Sequence, residues 1–445
     1  MKKILCFVFA LSAIFILFGI SFLSASEIPG KPQNHPIALV GGTIHTVSGP
    51  TIENGVVLFD KGKITAVGSN VTLPPGTEVI DVKGKHIYPG LIDARSNLGL
   101  TEIGAVRATN DLSEVGSIKP SIRAEAAVNP ESELIPVTRA NGVTTALTMP
   151  EGGAISGTAA VISLDGWTWE DMTIKAPAGL VVNWPSMTIN RAWWERRTEE
   201  EQKKARDKSL TELRDAFREA RAYMKAKRSE SNPSVSYHKT DLRWEAMAAV
   251  LEGKIPVLVN AEDVQQIQAA VAWADQENIK LVIVGGYDAW RTTDLLKAKN
   301  VPVIISPIQR TPWRRWEAYD EPSTLPKKLY DAGVTYCIAG EGGASNERNL
   351  PYHAAMAASY GLPKDEALKS VTLYPAQILG IADREGSLEV GKDATFIVTD
   401  GDPLEIMSNV TMEFIQGKTI SLQSRHTRFY DKYLEKYKRL GTTRK

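Results

Sequence analysis

The sequence is poor in the residues that most often bind metals or form cross-links. Its 445 residues include only two cysteines, Cys6 and Cys337, and six histidines. Cys6 lies in an apolar stretch at the start of the chain, so Cys337 has no disulfide partner if that stretch is cleaved. The fold must therefore be stabilised by a large apolar core, and Cys337 is expected to be a buried, unreactive thiol.

An excess of either charge sign is also absent. Lysine plus arginine and aspartate plus glutamate each total 52, so the formal net charge is zero. Proteins that bind nucleic acids usually carry a basic excess, and neutrality argues against that class. Basic residues become frequent only near the end of the chain, where residues 423–445 are predicted to form a solvated basic helix.

One long apolar run is present, at the start of the chain. Lys2 and Lys3 precede the apolar stretch Ile4–Leu23, and small residues follow it. This pattern predicts that residues 1–26 are a secretory signal peptide, and that the protein is exported to the periplasm or the extracellular space. About 20 apolar residues can also span a bilayer, so an uncleaved membrane anchor is left open.

Short apolar runs alternate with helical stretches in the middle of the chain. Most of these runs are apolar on both faces, which is typical of the strands of a covered parallel sheet. The expected strands are Ile87–Asp93, Thr144–Met149, Gly179–Trp184, Ile255–Asn260, Leu281–Gly285, Val301–Ser306 and Thr335–Gly340. An α/β fold with a (β/α)₈ TIM-type barrel over residues 86–385 fits this pattern best. Its eighth strand is expected between Ile155 and Asp171 or in the stretch that follows.

Short strands with turn residues between them flank the barrel region on both sides. They occupy residues 37–85 and 386–422. In the first segment, Gly62 lies in a hairpin turn that requires a positive φ angle. The two segments predict a small composite β-sandwich that is built from both ends of the chain.

The segment P-G-L-I-D-A-R-S-N at residues 89–97 is the most informative in the chain. It resembles the first barrel strand of the amidohydrolase superfamily, the imidazolonepropionase- and dihydroorotase-like metal-dependent hydrolases, in which two histidines of an H-x-H motif bind a divalent metal. The segments G-G-T-I-H-T-V at 41–47 and G-S-L-E-V-G-K-D-A at 386–394 resemble the same family. The resemblance covers about residues 37–422. It implies hydrolysis of non-peptide or cyclic C–N bonds with zinc or another divalent metal.

The residues that this resemblance makes metal ligands are changed in this chain. Arg95 and Asn97 stand at the two histidine positions of the first strand. Asn260 and Gly285 stand at the histidine positions of two later strands, and Glu341 stands at the position of a catalytic aspartate. Arginine carries only donors and a permanent charge, and glycine has no side chain. We therefore expect no bound metal and no other cofactor.

A pair of opposite charges is expected to replace the metal. Arg95 supplies a cation at the metal position and Glu341 supplies a carboxylate, and a buried carboxylate without a cation would be costly. The hypothesis is that these two residues form an ion pair at the vacated centre. They are also the candidate catalytic residues, should any catalysis remain.

Three functions are compatible with this sequence. The favoured one is a catalytically degenerate amidohydrolase that acts as a binding or partner subunit, as a homo-oligomer or with an active relative, and with a small-molecule ligand left open. The second is a hydrolase without the metal centre, in which Glu341 or Glu262 is the base and Arg95 the electrophile. The third is a metal-dependent hydrolase with unrecognised ligands, which the scarcity of histidine disfavours. Membrane contact is expected only through the N-terminal segment.

Overall fold

The computed structural model describes residues 28–232, 234 and 236–441, and the predicted signal peptide lies outside them. The described residues form two eight-stranded sheets with helices around one of them. The strands are β1 Ile37–Ile44, β2 Ile52–Asp60, β3 Lys63–Gly68, β4 Glu78–Asp81, β5 His86–Pro89, β6 Leu91–Ser96, β7 Val143–Thr148, β8 Ile155–Ser163, β9 Thr173–Asn183, β10 Val257–Ala261, β11 Leu281–Gly285, β12 Val303–Ile305, β13 Tyr336–Ile338, β14 Phe396–Thr399, β15 Val410–Ile415 and β16 Lys418–Thr419. The described α-helices are Leu134–Arg139, Trp169–Met172, Glu199–Ser229, Leu242–Leu251, Val264–Glu277, Thr293–Ala298, Glu321–Ala332, Leu350–Ser359, Lys364–Lys369, Leu373–Leu379 and Arg425–Arg439.

Strands β6 to β13 form the predicted barrel in the order of the chain. The missing eighth strand is β8, which lies where the sequence places it. The strand direction differs from that in an all-parallel barrel, because β8 runs antiparallel to both β7 and β9. The connections on either side of β8 are short, and the second contains only the one-turn helix Trp169–Met172. A parallel connection needs a crossover of a dozen or more residues, so these strands form a meander instead.

The structure divides the predicted first barrel strand at Gly90. The part before it, β5, pairs with β1 and β14 in the other sheet, whereas β6 pairs with β7 in the barrel. A Cβ atom at Gly90 would lie 2.1 Å from Thr144 Oγ1, so the backbone can pass this close only because glycine has no side chain. The boundary between the two units is therefore at residue 90 rather than between residues 85 and 86.

The other sheet contains strands from both ends of the chain. Its order is β16-β15-β14-β5-β1-β2-β3, with β4 beside β1. The ring of Phe59 lies 5.2 Å from the rings of both Phe396 and Phe414, in edge-on contacts. Strands from both ends of the chain thus share one apolar core, as expected for the predicted composite unit.

The segment after this sheet forms the predicted basic helix. It spans Arg425–Arg439 and begins with a capping box in which Ser424 and Thr427 exchange hydrogen bonds. Among the described residues no helix is both long and apolar enough to traverse a bilayer.

Candidate functional site

The carboxyl ends of the barrel strands bring most of the predicted site residues to one face of the molecule. Arg95 lies near the end of β6, Asn260 near the end of β10, and Gly285 ends β11. A cavity of about 480 Å³ opens at this face. Its walls include Arg95, Ser96, Met149, Asn183, Asn260 and Gly342. In barrels of this type the chemistry takes place at this end, and we call it the mouth.

Both asparagines that replace expected ligands are engaged with protein groups. Asn97 is buried, and its Oδ1 accepts a hydrogen bond from the Ala344 N–H at 2.6 Å. Asn260 Nδ2 donates to Asn183 Oδ1 at 2.7 Å, and Asn183 Nδ2 donates to the Gly153 carbonyl at 2.8 Å. Asn97 therefore holds the loop after β13, and Asn260 ties β10 to β9.

The carboxylate of Glu262 occupies the place of a side chain at Gly285. A Cβ atom at Gly285 would lie 2.3 Å from Glu262 Oε1, and the φ angle of this glycine is +98°. The carboxylate accepts a hydrogen bond from the Tyr287 N–H at 3.2 Å. Burial raises the pKa of Glu262, and the charge of Arg95 opposes that rise. A histidine at position 285 would collide with this carboxylate.

A second carboxyl group fills the space beside another glycine at a strand end. A Cβ atom at Gly340 would lie 1.7 Å from Glu347 Oε2 and 3.0 Å from Asp93 Oδ2. Asp93 and Glu347 are both fully buried, and their carboxyl groups lie beside each other at Gly340. Burial raises the pKa of both groups, and the charge of Asp93 raises the pKa of Glu347 further. Since two touching buried carboxyls cannot both ionise, we infer that they share a proton held mainly by Glu347.

Asp93 also connects the first and last strands of the barrel. Its Oδ1 accepts hydrogen bonds from the N–H groups of Gly340 and Arg95, both at 3.1 Å. Beside it, the Ile92 N–H donates to the Val371 carbonyl at 2.9 Å. The carboxyl pair therefore lies at the seam between the first and the last barrel strand.

The predicted Arg95–Glu341 ion pair is wrong. Glu341 is exposed and accepts a hydrogen bond from Asn346 Nδ2 at 2.8 Å, while Arg95 Nη1 reaches the Ser306 carbonyl at 3.5 Å. The chain turns at Gly342, which has a φ angle of +79°. Glu341 therefore points to solvent, and the carboxyl that reaches back into the centre comes from later in the same loop.

The loop after β12 brings a second arginine to the mouth. The guanidinium of Arg310 lies 4.0 Å from the ring centre of Trp313, which stacks on Tyr287 at 4.4 Å. Burial lowers the pKa of Arg310, and the charge of Glu262 opposes that change. Glu262 thus balances the charges of two guanidinium groups, Arg95 and Arg310.

The donors at the mouth do not fit a divalent metal. The positions of the expected ligands hold a guanidinium, two engaged amides, a glycine and an exposed glutamate. Within the described ranges, no group of three or more histidine, cysteine, aspartate or glutamate residues could hold a metal ion. The buried His353 accepts a hydrogen bond from the Gln309 N–H at 3.3 Å, and burial lowers its pKa to about 4. It is therefore a neutral packing residue, and the expectation of no cofactor stays a prediction.

Sequence reasoning identified the altered ligand positions and named Glu262 as a candidate base, but it missed the pair of Asp93 and Glu347. Asp93 lies inside the segment at residues 89–97, yet its role as a proton-sharing partner needs Glu347, which begins the short 3₁₀ helix Glu347–Asn349. The available signal was the pair of glycines at strand ends, Gly285 and Gly340. A strand end without a side chain in a packed interior must be filled from elsewhere.

The chain was compared with known protein families and curated proteins. A model of the amidohydrolase family matches residues 87–421. An amidohydrolase named tasK from Hapsidospora irregularis is 24% identical over 388 residues, which are 82% of this chain and 39% of that protein. The chain thus spans about two fifths of that relative's length. An imidazolonepropionase from Brucella anthropi is 24% identical over 391 residues, which are 81% of this chain and 90% of that protein.

The fold was also compared with solved structures. An amidohydrolase from Thermotoga maritima is similar with a TM-score of 0.77 and 28% sequence identity, over 86% of this chain and 99% of that one. A prolidase complexed with N-methylphosphonate-L-proline is similar with a TM-score of 0.54 and 16% identity, over 87% of this chain and 100% of that one. The latter likeness concerns the fold alone.

Proposed function

The chain belongs to the amidohydrolase family, and from this premise we propose that it is a catalytically degenerate member that binds a small polar molecule at the barrel mouth. One observation carries the proposal. The centre where relatives hold a metal is filled by the protein's own carboxyl groups, because Glu262 and Glu347 occupy the space beside Gly285 and Gly340.

The electrostatics of the mouth support a binding role over metal-assisted hydrolysis. A catalytic zinc needs about three protein ligands that offer lone pairs, plus an open position for water. Arg95 places a permanent cation at this centre, and both nearby carboxyl groups already have partners. A divalent ion would be repelled by Arg95, and it would have to displace Glu262 from the Tyr287 N–H and remove the proton that we infer Asp93 and Glu347 share.

The cavity at the mouth suits a small ligand. Its volume of about 480 Å³ lies within the usual range for small-molecule sites. Arg95 offers donors, Asn183 and Asn260 offer amide groups, and Met149 offers an apolar wall. These groups favour a polar molecule with hydrogen-bond acceptors and one apolar side. A partner role, in which this chain associates with an active member of the family, is a further part of the proposal.

A hydrolase that works without a metal is the second candidate, and one observation favours it. Glu262 is a half-buried carboxylate whose pKa is raised, and it interacts electrostatically with both Arg95 and Arg310. A base next to two cations could activate water and stabilise an oxyanion. Water activation without a metal is harder, so we rank this candidate second. Glu262, and not the exposed Glu341, is its base.

The experiment that separates these functions combines metal analysis with activity and binding assays on one preparation. Zinc, manganese and iron are measured by plasma mass spectrometry, before and after incubation with zinc. Hydrolysis of dipeptides, cyclic amides and lactones is then followed, and the same compounds are tested for binding by thermal shift. The variants are Arg95→Ala, Glu262→Gln and, as a matched control on an exposed residue, Glu341→Gln.

We expect one of these compounds to bind without being turned over. Arg95→Ala should abolish this binding, and Glu341→Gln should leave it intact. Turnover without metal that is lost in Glu262→Gln favours the second candidate. Near-stoichiometric zinc together with zinc-dependent turnover would overturn both, because the mouth would then contain ligands outside the predicted set.

A further inference from the structure

The C-terminal helix has an apolar face whose large side chains are exposed. The helix spans Arg425–Arg439, and Leu434 is its least exposed member at intermediate exposure. Its large apolar side chains are each between 43% and 67% exposed. They are Phe429, Tyr430, Tyr433, Tyr437 and Leu440. Five large apolar side chains in so short a segment are unusual for a solvated helix.

These side chains lie on one side of the helix. At about 100° per residue, they and Leu434 fall within an arc of about 140°. We call this the aromatic arc. Arg425, Lys432 and Lys436 border one edge of it, with their charged groups 5.4 to 5.9 Å from the ring centres of Phe429 and Tyr433. The acidic residues Asp431 and Glu435 lie on the opposite side of the helix.

The helix is attached to the rest of the molecule by its charged side. Arg428 Nη2 lies 2.6 Å from Glu133 Oε2, and Arg428 falls outside the aromatic arc. The body of the protein therefore holds the first turns of the helix from the charged side and leaves the aromatic arc facing outward.

The charge of the helix is strongly basic although the whole chain is neutral. Between positions 425 and 440 there are six basic and two acidic residues, which gives a local charge of about +4. The basic residues are Arg425, Arg428, Lys432, Lys436, Lys438 and Arg439. A partner for this surface must accept aromatic side chains and supply negative charge beside them.

The start of the described chain lies next to the base of this helix. Pro29, Glu133 and Arg428 line the same cleft, and the Gly30 N–H donates to Asp165 Oδ1 at 3.2 Å in that region. The apolar stretch at residues 4–23 precedes these residues by only a few positions. The first described residues and the base of the basic helix therefore lie on the same side of the molecule.

We propose that the C-terminal helix binds the surface of a bilayer that contains anionic lipids. The helix lies parallel to the surface, with the aromatic arc in the headgroup region and the bordering lysines on lipid phosphates. Tyrosine and phenylalanine favour this interfacial depth. A second copy of the helix is a poorer partner, because two aromatic arcs packed together would bring their basic edges into repulsion. The proposal extends the sequence expectation, which limited membrane contact to the N-terminal segment, and it does not depend on the proposed function.

The experiment uses the full chain and a readout that is local to the helix, so that binding through the N-terminal segment does not interfere. In a Cys6→Ser background, where the remaining Cys337 is fully buried, an environment-sensitive dye is attached to Tyr437→Cys or to Asp431→Cys. Vesicles of phosphatidylcholine alone are compared with an equal mixture of phosphatidylcholine and phosphatidylglycerol. Shielding of the dye from iodide is then measured.

We expect the dye at position 437 to be shielded only by the anionic vesicles, and the dye at position 431 to remain accessible. The double variant Lys432→Glu/Lys436→Glu should weaken this shielding about 30-fold in lipid concentration. The matched control Lys203→Glu/Lys204→Glu reverses two exposed charges on another helix and should leave it unchanged.

Three results would overturn the proposal. One is accessibility of both dyes with anionic vesicles, and another is equal shielding of both dyes. The third is shielding at position 437 that rises with protein concentration in the absence of vesicles, which would identify a second copy as the partner.

Discussion

At the scale of single residues, the mouth of the barrel depends on two glycines at strand ends, where other residues would have a side chain. Gly285 and Gly340 leave space at two strand ends, and Glu262 and Glu347 fill that space. Each glycine and its carboxylate form a unit, so that changing one member affects the other. This coupling predicts that histidine cannot simply be restored at position 285.

A methyl group at Gly285 tests this coupling. Gly285→Ala should destabilise the protein by at least about 2 kcal/mol, because the residue has a φ angle of +98° and its Cβ would meet the Glu262 carboxylate. Gly343→Ala, in a nearby loop with no atom within 4 Å of the new Cβ, is the matched control. Unfolding in urea measures both. If Glu262→Ala in the same chain does not recover part of the loss, the steric explanation fails.

The sequence predicted which donors are lost and named Glu262 as a candidate base, but it did not predict the contribution of Glu347. Arg95, Asn97 and Asn260 could be placed because they lie at or just beyond the ends of strands whose apolar pattern is strong. The contribution of Glu347 depends on the path of a loop that turns at Gly342, and no periodic pattern describes such a path. For the same reason the sequence assigned the charge partner of Arg95 to Glu341, the carboxylate nearest to the strand end.

At the scale of elements, the loop after β12 forms one wall of the mouth and is held by charges. Arg314 donates to both oxygens of Asp288, at 2.9 and 2.7 Å, and it also pairs with Glu317. Asp288 is only 2% exposed, so its carboxylate depends on this arginine. The pairing fixes the loop that carries Arg310 and Trp313.

Removal of this arginine should loosen the loop. Arg314→Ala leaves the buried Asp288 carboxylate with Arg291 at 3.7 Å and the Val264 N–H at 3.4 Å, and we expect a loss of about 2 kcal/mol together with faster amide exchange at residues 309–320. The control is Arg315→Ala, which changes the exposed neighbouring arginine. Its stability should lie within about 0.5 kcal/mol of the wild type. Unchanged exchange in Arg314→Ala would show that the loop is held by its aromatic contacts instead.

The strand pattern was predicted better than the strand directions. The strand β11 has the bounds that its apolar run predicts, and β8 lies in the predicted gap. The direction of β8 could not be predicted from its composition. A strand that is buried on both faces has the same apolar pattern whether it runs parallel or antiparallel to its neighbours. Only the length of the connections distinguishes a meander from a crossover, and their ends are uncertain without a structure.

At the scale of the whole molecule, the barrel and the composite sheet meet at a buried carboxyl group. Glu385 Oε2 accepts a hydrogen bond from Thr145 Oγ1 of β7 at 2.6 Å, and its carboxyl also contacts Thr395, next to β14. Burial raises the pKa of Glu385 to about 7. The junction between the two units is therefore sensitive to pH.

The sign of this dependence follows from the direction of the pKa change. The folded state keeps a proton that the unfolded state loses near its ordinary pKa, so the stabilisation is complete below pH 4.5 and is lost as the pH rises through about 7. The loss is on the order of 3 kcal/mol. Glu385→Gln keeps a neutral side chain, so its stability relative to the wild type should rise by that amount between about pH 4 and pH 8.

Urea unfolding at several pH values measures this difference, and Glu170→Gln, at an exposed position, controls for the change of charge. A difference between the wild type and Glu385→Gln that is constant with pH would mean that this carboxyl does not carry a proton into the folded state.

The composite sheet also constrains when this protein can fold. A ribosome delivers β1 at the beginning of synthesis and β14 near its end, yet both flank β5 in the same sheet. Lys63 and Asp393, which pair across this unit, lie 330 positions apart in the chain. The pairing of β5 with β14 can therefore form only when translation is almost finished. Until then the composite sheet is incomplete, as passage through a narrow secretion pore would require of the export that the sequence predicts.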